Sequence, residues 1–368
     1  MDSIRKRGNT KPLVVKGLSF YDSPSCDILY TLREGGTDMD AEFQQFISMI
    51  EPVDGDFARS YEEKLAASGQ ADTVLCHLAG RLAAIRGSER HDLLKKAVII
   101  FAADHAVDGG KNESQGKNSK ADAMEIASGR GPINKVAHKV GAGVLLLDMG
   151  LQEDIPESPG VQVLKVMAGS HYYGNGPAMA EDEMLDALYS GIQIGQNLAD
   201  EGYTAIGIGS LGERSILTAF ILTAAFYRSQ MPDLAGSLKE KNQMKMLGAV
   251  LRTHGLDCTR PLELLQKAGA PDVAAMVGCI LSAAHRHVAL VFDNAVTGAA
   301  VLIAQALQPA VMGYVFPSAA YAEPVHRMQM EYLHLNPVVS DPGKDDQAMG
   351  SVLGLSVLDA AVESMKED

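Results

Sequence analysis

The sequence predicts an α/β fold built on a doubly wound, mostly parallel sheet, and three observations carry that expectation. Short apolar runs rich in Val, Ile and Leu recur along the chain, stretches of helical period separate them, and each run exits into Asp, Gly, Ser or Asn. Continuous apolar strands belong to sheets covered on both faces, and polar exits mark the carboxyl edge where such sheets hold ligands.

Residues 1–95 read as helical after a ragged start, because AEFQQFISMI and the stretch from Ser60 to Ile85 space their apolar residues by three and four. This stretch, 1–95, reads as a helical accessory and the approach to the core. At Lys95 the texture changes: KKAVIIFAAD is the first strand, opening a large domain over 96–330. GVLLLDMG (143–150) follows a helix ending near Lys139, QVLKVMAG (162–169) is a third strand, and YTAIGIGS (203–210) a fourth beyond a helix at Ala180–Asp200. HVALVFDN (287–294) is the fifth. From about Glu331 the chain returns to helix around the polar loop VVSDPGKDDQAMG and finishes with Val352–Lys366, so 331–368 is the C-terminal helical part.

Composition narrows the function. With 368 residues, 46% hydrophobic and 21% charged, the chain has ample material for a buried core. A net charge of -14 argues against a phosphate backbone as partner, since nucleic-acid affinity rests on a positive surface. It does not exclude a small anion, because a helix N-terminus or glycine turn supplies local positive potential. Cys26, Cys76, Cys258 and Cys279 are widely spaced and make no CxxC pair, so reduced thiols are expected. No run approaches the roughly 18 apolar residues of a membrane span, and MDSIRKRGNTKP has no signal-like apolar core; a cytoplasmic location is the expectation.

The strand exits carry the candidate chemistry. The loop ADHAVDGGKNESQGKNSKAD (103–122) is long, polar and glycine-bearing, as working loops are; its Asp104-His105 pair fits a structural turn equally well. No second His or Cys stands at metal-ligand spacing. GIGSLGERS (207–215) leaves a strand and opens a helix, where backbone N–H groups meet phosphate, although Gly207, Gly209 and Gly212 match neither a Walker loop nor GxGxxG. Tight strand-to-helix packing explains those glycines as well. GRGPIN (129–134) places Pro132 at a helix start. GSHYYGNGPAM (169–179) sets His171, Tyr172 and Tyr173 among glycines at a strand exit, either to stack on a planar base or as plain turn residues. His285 and His287 suit a helix C-terminus, and QMKML suits core packing.

In this order, over roughly residues 80–365, these segments resemble the nicotinate-nucleotide:dimethylbenzimidazole phosphoribosyltransferase family. AADHAV is similar to that family's G-D-H-G-V loop, GRGPINKVAHKVGAGVLLLDMGL to its G-G-A-A-I-N helix and D-x-G strand, and GNGPAM to its G-P-A-M segment. APDVAAMVGCILSAAHRHVALVFDN resembles F-E-I-A-A-M-x-G-A-I-L-x-A-A with the V-x-D-G-F strand end, and YAEPVHRMQMEYLHLNP the S-A-E-P-G-H segment. The resemblance implies a Rossmann-like sheet, a smaller helical domain built from both chain ends, and a dimer with sites near the subunit interface. The implied reaction moves the 5-phosphoribosyl group of nicotinate mononucleotide to a flat aromatic base, with inversion at C1′ and release of nicotinate, and needs no metal or organic cofactor. The implied binding positions are Asp104, His105, Gln115, Ser170, His171, Tyr172, Gly176, Gly209, Leu211, Gly212, Arg214, Ser215, Asp293 and Asn294.

The departures are specific. Where the family turn reads G-E-M-G-I-G-N-T-T, this chain has Gly209, Ser210, Leu211, Gly212, Glu213, Arg214, Ser215, Ile216 and Leu217. Ser210 replaces an acid, and Ser215, Ile216 and Leu217 replace the Asn-Thr-Thr donors, a loss that Arg214 is suited to offset. Aligning through Gly350 sets Gln347 at the position of the family's general-base glutamate in G-E-G-T-G-A. An amide accepts no proton at neutral pH, and the nearby Asp345 and Asp346 are shorter and displaced. These losses fit the phenol- and cresol-activating branch, a heterodimer of paralogous subunits. The resemblance thus leaves two expectations, an active transferase and a supporting subunit of a paralogous partner, with a small-molecule binding protein on the same fold as a third.

Overall fold

The computed structural model describes residues 39–67, 73–89, 92–107, 119–227, 248, 250, 253–340 and 347–364; Gln115, QMKML, Asp345 and Asp346 lie outside them. Among the described residues three helices come first, α1 (Met39–Ser48), α2 (Gly55–Leu65) and α3 (Val74–Arg86). The helical pattern over Ser60–Ile85 is shared between α2 and α3, each with its own cap. Asp54 accepts from the amides of Asp56 and Phe57, and Thr73 from that of Cys76.

The α/β body begins with β1 (Lys96–Ala103), buried at every residue, as its apolar run requires. Next come α4 (Ser119–Ala127), α5 (Pro132–Lys139), β2 (Ala142–Gly150), β3 (Val161–Val163) and α6 (Glu181–Asp200). Pro132 takes the first turn of α5, where no N–H is needed. β4 (Ala205–Leu211) leads into α7 (Ser215–Phe226); α8 (Pro261–Ala268), α9 (Pro271–His285), β5 (Ala289–Phe292), α10 (Ala295–Leu307) and β6 (Val315–Pro317) complete the body. The short β7 (Ala319–Ala320) and β8 (Val339–Ser340) pair around α11 (Pro324–Leu333), and α12 (Met349–Glu363) follows.

The main sheet has the order β3-β2-β1-β4-β5-β6, and every ladder is parallel. Winding runs outward from β1 on one side and from β4 on the other, so the switch point lies between those two central strands. α9 lies against β1, β2 and β5, while α12, with α3 and α5, covers the opposite face. Two strands differ from expectation. The run at 162–169 pairs only as far as Val163, after which Leu164 and Val166 donate to the carbonyls of Asp148 and Met149 while the chain turns away. β6 is an additional strand, because a three-residue Val-Phe-Pro segment is too short to show a period.

α6 and α9 cross backbone to backbone. A Cβ on Gly191 would stand 1.8 Å from the carbonyl oxygen of Ala275, and one on Gly278 would stand 2.0 Å from that of Leu188. Gly195 faces Ser282 in the same seam. The glycines cost helix propensity, and the close approach of two buried helices offsets it.

β6 is an edge strand, and Arg81 of α3 closes its outer side. One guanidinium nitrogen donates to the carbonyls of Met312, Gly313 and Val315 at 3.3, 3.2 and 2.9 Å, and the group lies 4.1 Å from the centre of the Phe316 ring. Burial pulls its pKa down to about 10. Arg81→Met keeps the stem but leaves those carbonyls without their donor, so a cost of about 2–4 kcal/mol is expected. Urea unfolding checks it as a lower midpoint at constant slope; an unchanged midpoint would show that water replaces the guanidinium.

Candidate active site

Four strand exits meet at the switch point. β1 runs into Asp104, β2 ends at Gly150, the segment beyond β3 returns at Gly169 and Ser170, and β4 runs into Gly212. Backbone bonds lock them: Asp104 and Gly169 both donate to the Gly150 carbonyl at 3.0 Å, Ser170 donates to that of Asp104 at 3.0 Å, and His105 to that of Glu213 at 3.1 Å. The Asp104 carboxylate then accepts from the Ser119 hydroxyl at 2.6 Å, the Gln152 amide at 2.8 Å and the Glu213 amide at 3.1 Å. Its oxygens hold three segments in register, a framing role. Gly212 makes the approach possible, because a Cβ there would lie 1.6 Å from the Ala103 carbonyl oxygen.

A second cluster surrounds the exit of β5. Buried Asp293 accepts from the Tyr321 hydroxyl at 2.6 Å, the Gly350 amide at 2.9 Å and the Ser318 hydroxyl at 3.4 Å. Asn294 caps α10 through the amides of Val296 and Thr297 and sends its side-chain N–H to Ser210 Oγ at 3.4 Å. The Ser210 amide donates to the Gln347 carbonyl at 3.2 Å, so Gln347 stands at the end of β4 beside Ser210. A Cβ on Gly209 would lie 2.5 Å from that same carbonyl oxygen. The Ser351 hydroxyl reaches the carbonyls of Ile208 and Val291 and pins the start of α12 across β4 and β5. Ser210, Leu211 and Gly212 are thus the strip shared by both clusters.

The turn from β4 to α7 is unusual. Arg214 caps the helix at φ +62 in the left-handed region, where the family pattern carries glycine, and Gln347 stands at φ +58. Non-glycine residues there cost of order 1–3 kcal/mol each and collect at working sites. Arg214 Nη1 lies 3.3 Å from Glu213 Oε2, and the two side chains are 18% and 21% exposed. The Ser215 hydroxyl turns back to the Gly212 carbonyl at 3.2 Å, which commits that donor to the turn. Ile216, 38% exposed, presents an apolar surface on the first turn of α7.

Beneath the cleft lies a polar network that the sequence did not reveal. Buried His105 directs one ring nitrogen to Thr218 Oγ1 at 2.7 Å and the other to Asp272 at 3.2 Å. The Tyr173 hydroxyl meets Thr218 at 2.8 Å and donates to the Gly269 carbonyl; burial raises its pKa strongly. His105 and Tyr173 therefore brace the floor and are not free to stack on a ring. Ser170 Oγ accepts from the Ala106 amide at 3.0 Å, again as a brace. His171 faces Glu183 at 3.0 Å, the residue that also caps α6 through the Ala180 amide, which places it at the rim. Tyr172 is half-buried over Gly174, and Gly176 opens onto free space.

Thr218 sat hidden in the apolar run SILTAFILTAAF, and Asp272 resembled an ordinary helix-start acid; neither carried a sequence signal of its partner. A cavity of about 560 Å3 opens beside the second cluster, with Tyr321 and His326 in its wall. Another, about 660 Å3, lies along α5 and the approach to β3 and includes none of the strand-exit residues. Among the described residues no helix is long and apolar enough to cross a membrane, and no group of three or more His, Cys, Asp or Glu could hold a metal ion.

Comparison with known proteins converges on one family. A phosphoribosyltransferase family model matches residues 50–368. The nicotinate-nucleotide–dimethylbenzimidazole phosphoribosyltransferase of Geobacter sulfurreducens is 28% identical over 331 residues, spanning 87% of this chain and 94% of the relative. That of Chloroflexus aggregans is 28% identical over 333 residues, spanning 88% and 94%. The crystal structure of the Thermus thermophilus enzyme of that name superposes with a TM-score of 0.75 at 26% identity, covering 84% of this chain and 94% of that one.

Proposed function

The chain belongs to the nicotinate-nucleotide–dimethylbenzimidazole phosphoribosyltransferase family, and from that premise we propose that it transfers 5-phosphoribose from nicotinate mononucleotide to an aromatic lower-ligand base, dimethylbenzimidazole or a phenol, giving an α-ribotide for cobamide synthesis. One observation carries the reading: the Gly209–Ser215 turn, the Asp104 loop and Gln347 converge on the β1–β4 switch point, where an open α/β sheet binds its ligand. A nicotinate leaving group departs neutral at its pyridine nitrogen and needs no acid. The work left to the protein is to hold the phosphate, align two flat rings on opposite faces of C1′, and receive a proton.

The parts take roles accordingly. Backbone N–H groups of the β4–α7 turn and the start of α7 face the phosphate, and the Arg214 cation supplements them. Tyr172 and Ile216 supply apolar surface at the rim for the rings. The working assembly is a dimer, of identical or paralogous subunits, in the cytoplasm.

A second reading, a supporting subunit of a paralogous partner, is favoured by Ser210 and Gln347 standing side by side where the family pattern has two acids. Calorimetry with nicotinate mononucleotide, followed by turnover with dimethylbenzimidazole or a phenol, separates the readings. Binding with turnover by the chain alone is the expected result. Binding without turnover until a paralogue is added would replace it with the second reading, and no binding in any assembly would sink both.

A further inference from the structure

We infer that Glu213 is the group that takes the proton from the incoming base, a residue for which the family pattern has isoleucine; this rests on the transferase reading above. The positions where that pattern places carboxylates hold a hydroxyl, Ser210, and an amide, Gln347, so an acceptor must stand elsewhere. Among the described residues, the acids Asp104, Asp148, Asp272 and Asp293 near the carboxyl edge are either buried or already bonded. Asp148, Asp272 and Asp293 are fully buried, out of reach of an incoming ring. Asp104 has both oxygens taken by three donors.

Glu213 differs in place and access. It is the second residue past β4, and its backbone is clamped on both sides to the Asp104–His105 loop, so it sits on the seam between the two halves of the sheet. Its side chain is 21% exposed, with the Arg214 guanidinium beside it as countercharge. The left-handed backbone of Arg214 keeps this carboxylate and its cation together in the turn that leaves β4.

The step balances without a further reactant. The ring nitrogen or phenolic oxygen of the base bonds to C1′, the C1′–N bond breaks with its electron pair remaining on nicotinate, and the N–H or O–H proton passes to the Glu213 carboxylate. Product release and loss of that proton to water restore the site.

The test uses the full chain with nicotinate mononucleotide and dimethylbenzimidazole. Glu213→Gln is expected to lower kcat by about 10²–10⁴-fold while the nucleotide affinity measured by calorimetry stays within about threefold of the parent. Glu213→Ala is expected to regain turnover with added formate in proportion to its concentration, a response that a merely structural residue would not give. An Asp345→Asn, Asp346→Asn double variant should keep the parent rate. Unchanged turnover in Glu213→Gln, or loss in the double variant alone, would overturn the assignment. So would a parent chain that binds the nucleotide yet never turns over by itself, an outcome that spares the family reading; failure to bind the nucleotide would instead remove the transferase reading.

Discussion

Gly212→Ala is expected to destabilise the protein by about 3 kcal/mol or more and to lower turnover by about 10²-fold. The added methyl carbon would lie 1.6 Å from the carbonyl oxygen of Ala103, and both partners are backbone, so no side chain can swing aside. The ends of β1 and β4 must separate instead, and the bond from the Glu213 amide to Asp104 lies directly in that path. Gly176→Ala is the matched control: a Cβ there meets open space, and a stability change within about 0.5 kcal/mol is expected. Equal urea midpoints for the two variants would mean that the exits are not wedged together as described.

Asp293→Ala carries the second large effect, a loss of about 2–5 kcal/mol. Its carboxylate is the shared acceptor for the Tyr321 hydroxyl and the Gly350 amide in a fully buried setting, and both donors would be stranded. The effect reaches the cleft, because Gly350 opens α12 and Gln347 just before it bonds Ser210. Asp293→Asn keeps one acceptor oxygen and should lose less than half as much. Unfolding curves of both variants decide the point, and alanine and asparagine variants of equal stability would show that the carboxylate does not anchor the helix.

Much of the fold was legible in the sequence because its signals are local. β1 and β2 are apolar along almost their whole length, and strands buried on both faces have no other way to be written. β3 and β6, three residues each, hold their places through ladders with longer neighbours, a property of the partner strand. The site was legible in outline only. The exits at Asp104, Gly212 and Asp293 stand out as polar or glycine punctuation after apolar runs, yet which groups face a ligand depends on burial. Tyr172 and Tyr173 are neighbours in one turn, and only the folded chain sets the first at the rim and the second against Thr218. The same holds for His105, whose partner Asp272 lies far along the chain.

The crossing of α6 and α9 has a consequence for the motions of the molecule. Where two helices touch through glycine and carbonyl, there is no side-chain layer to yield, so neither can loosen alone. Their amides near Gly191 and Gly278 should exchange with deuterated solvent only when the entire body opens, and the slowest exchange rates in the protein then become a direct gauge of its global unfolding free energy.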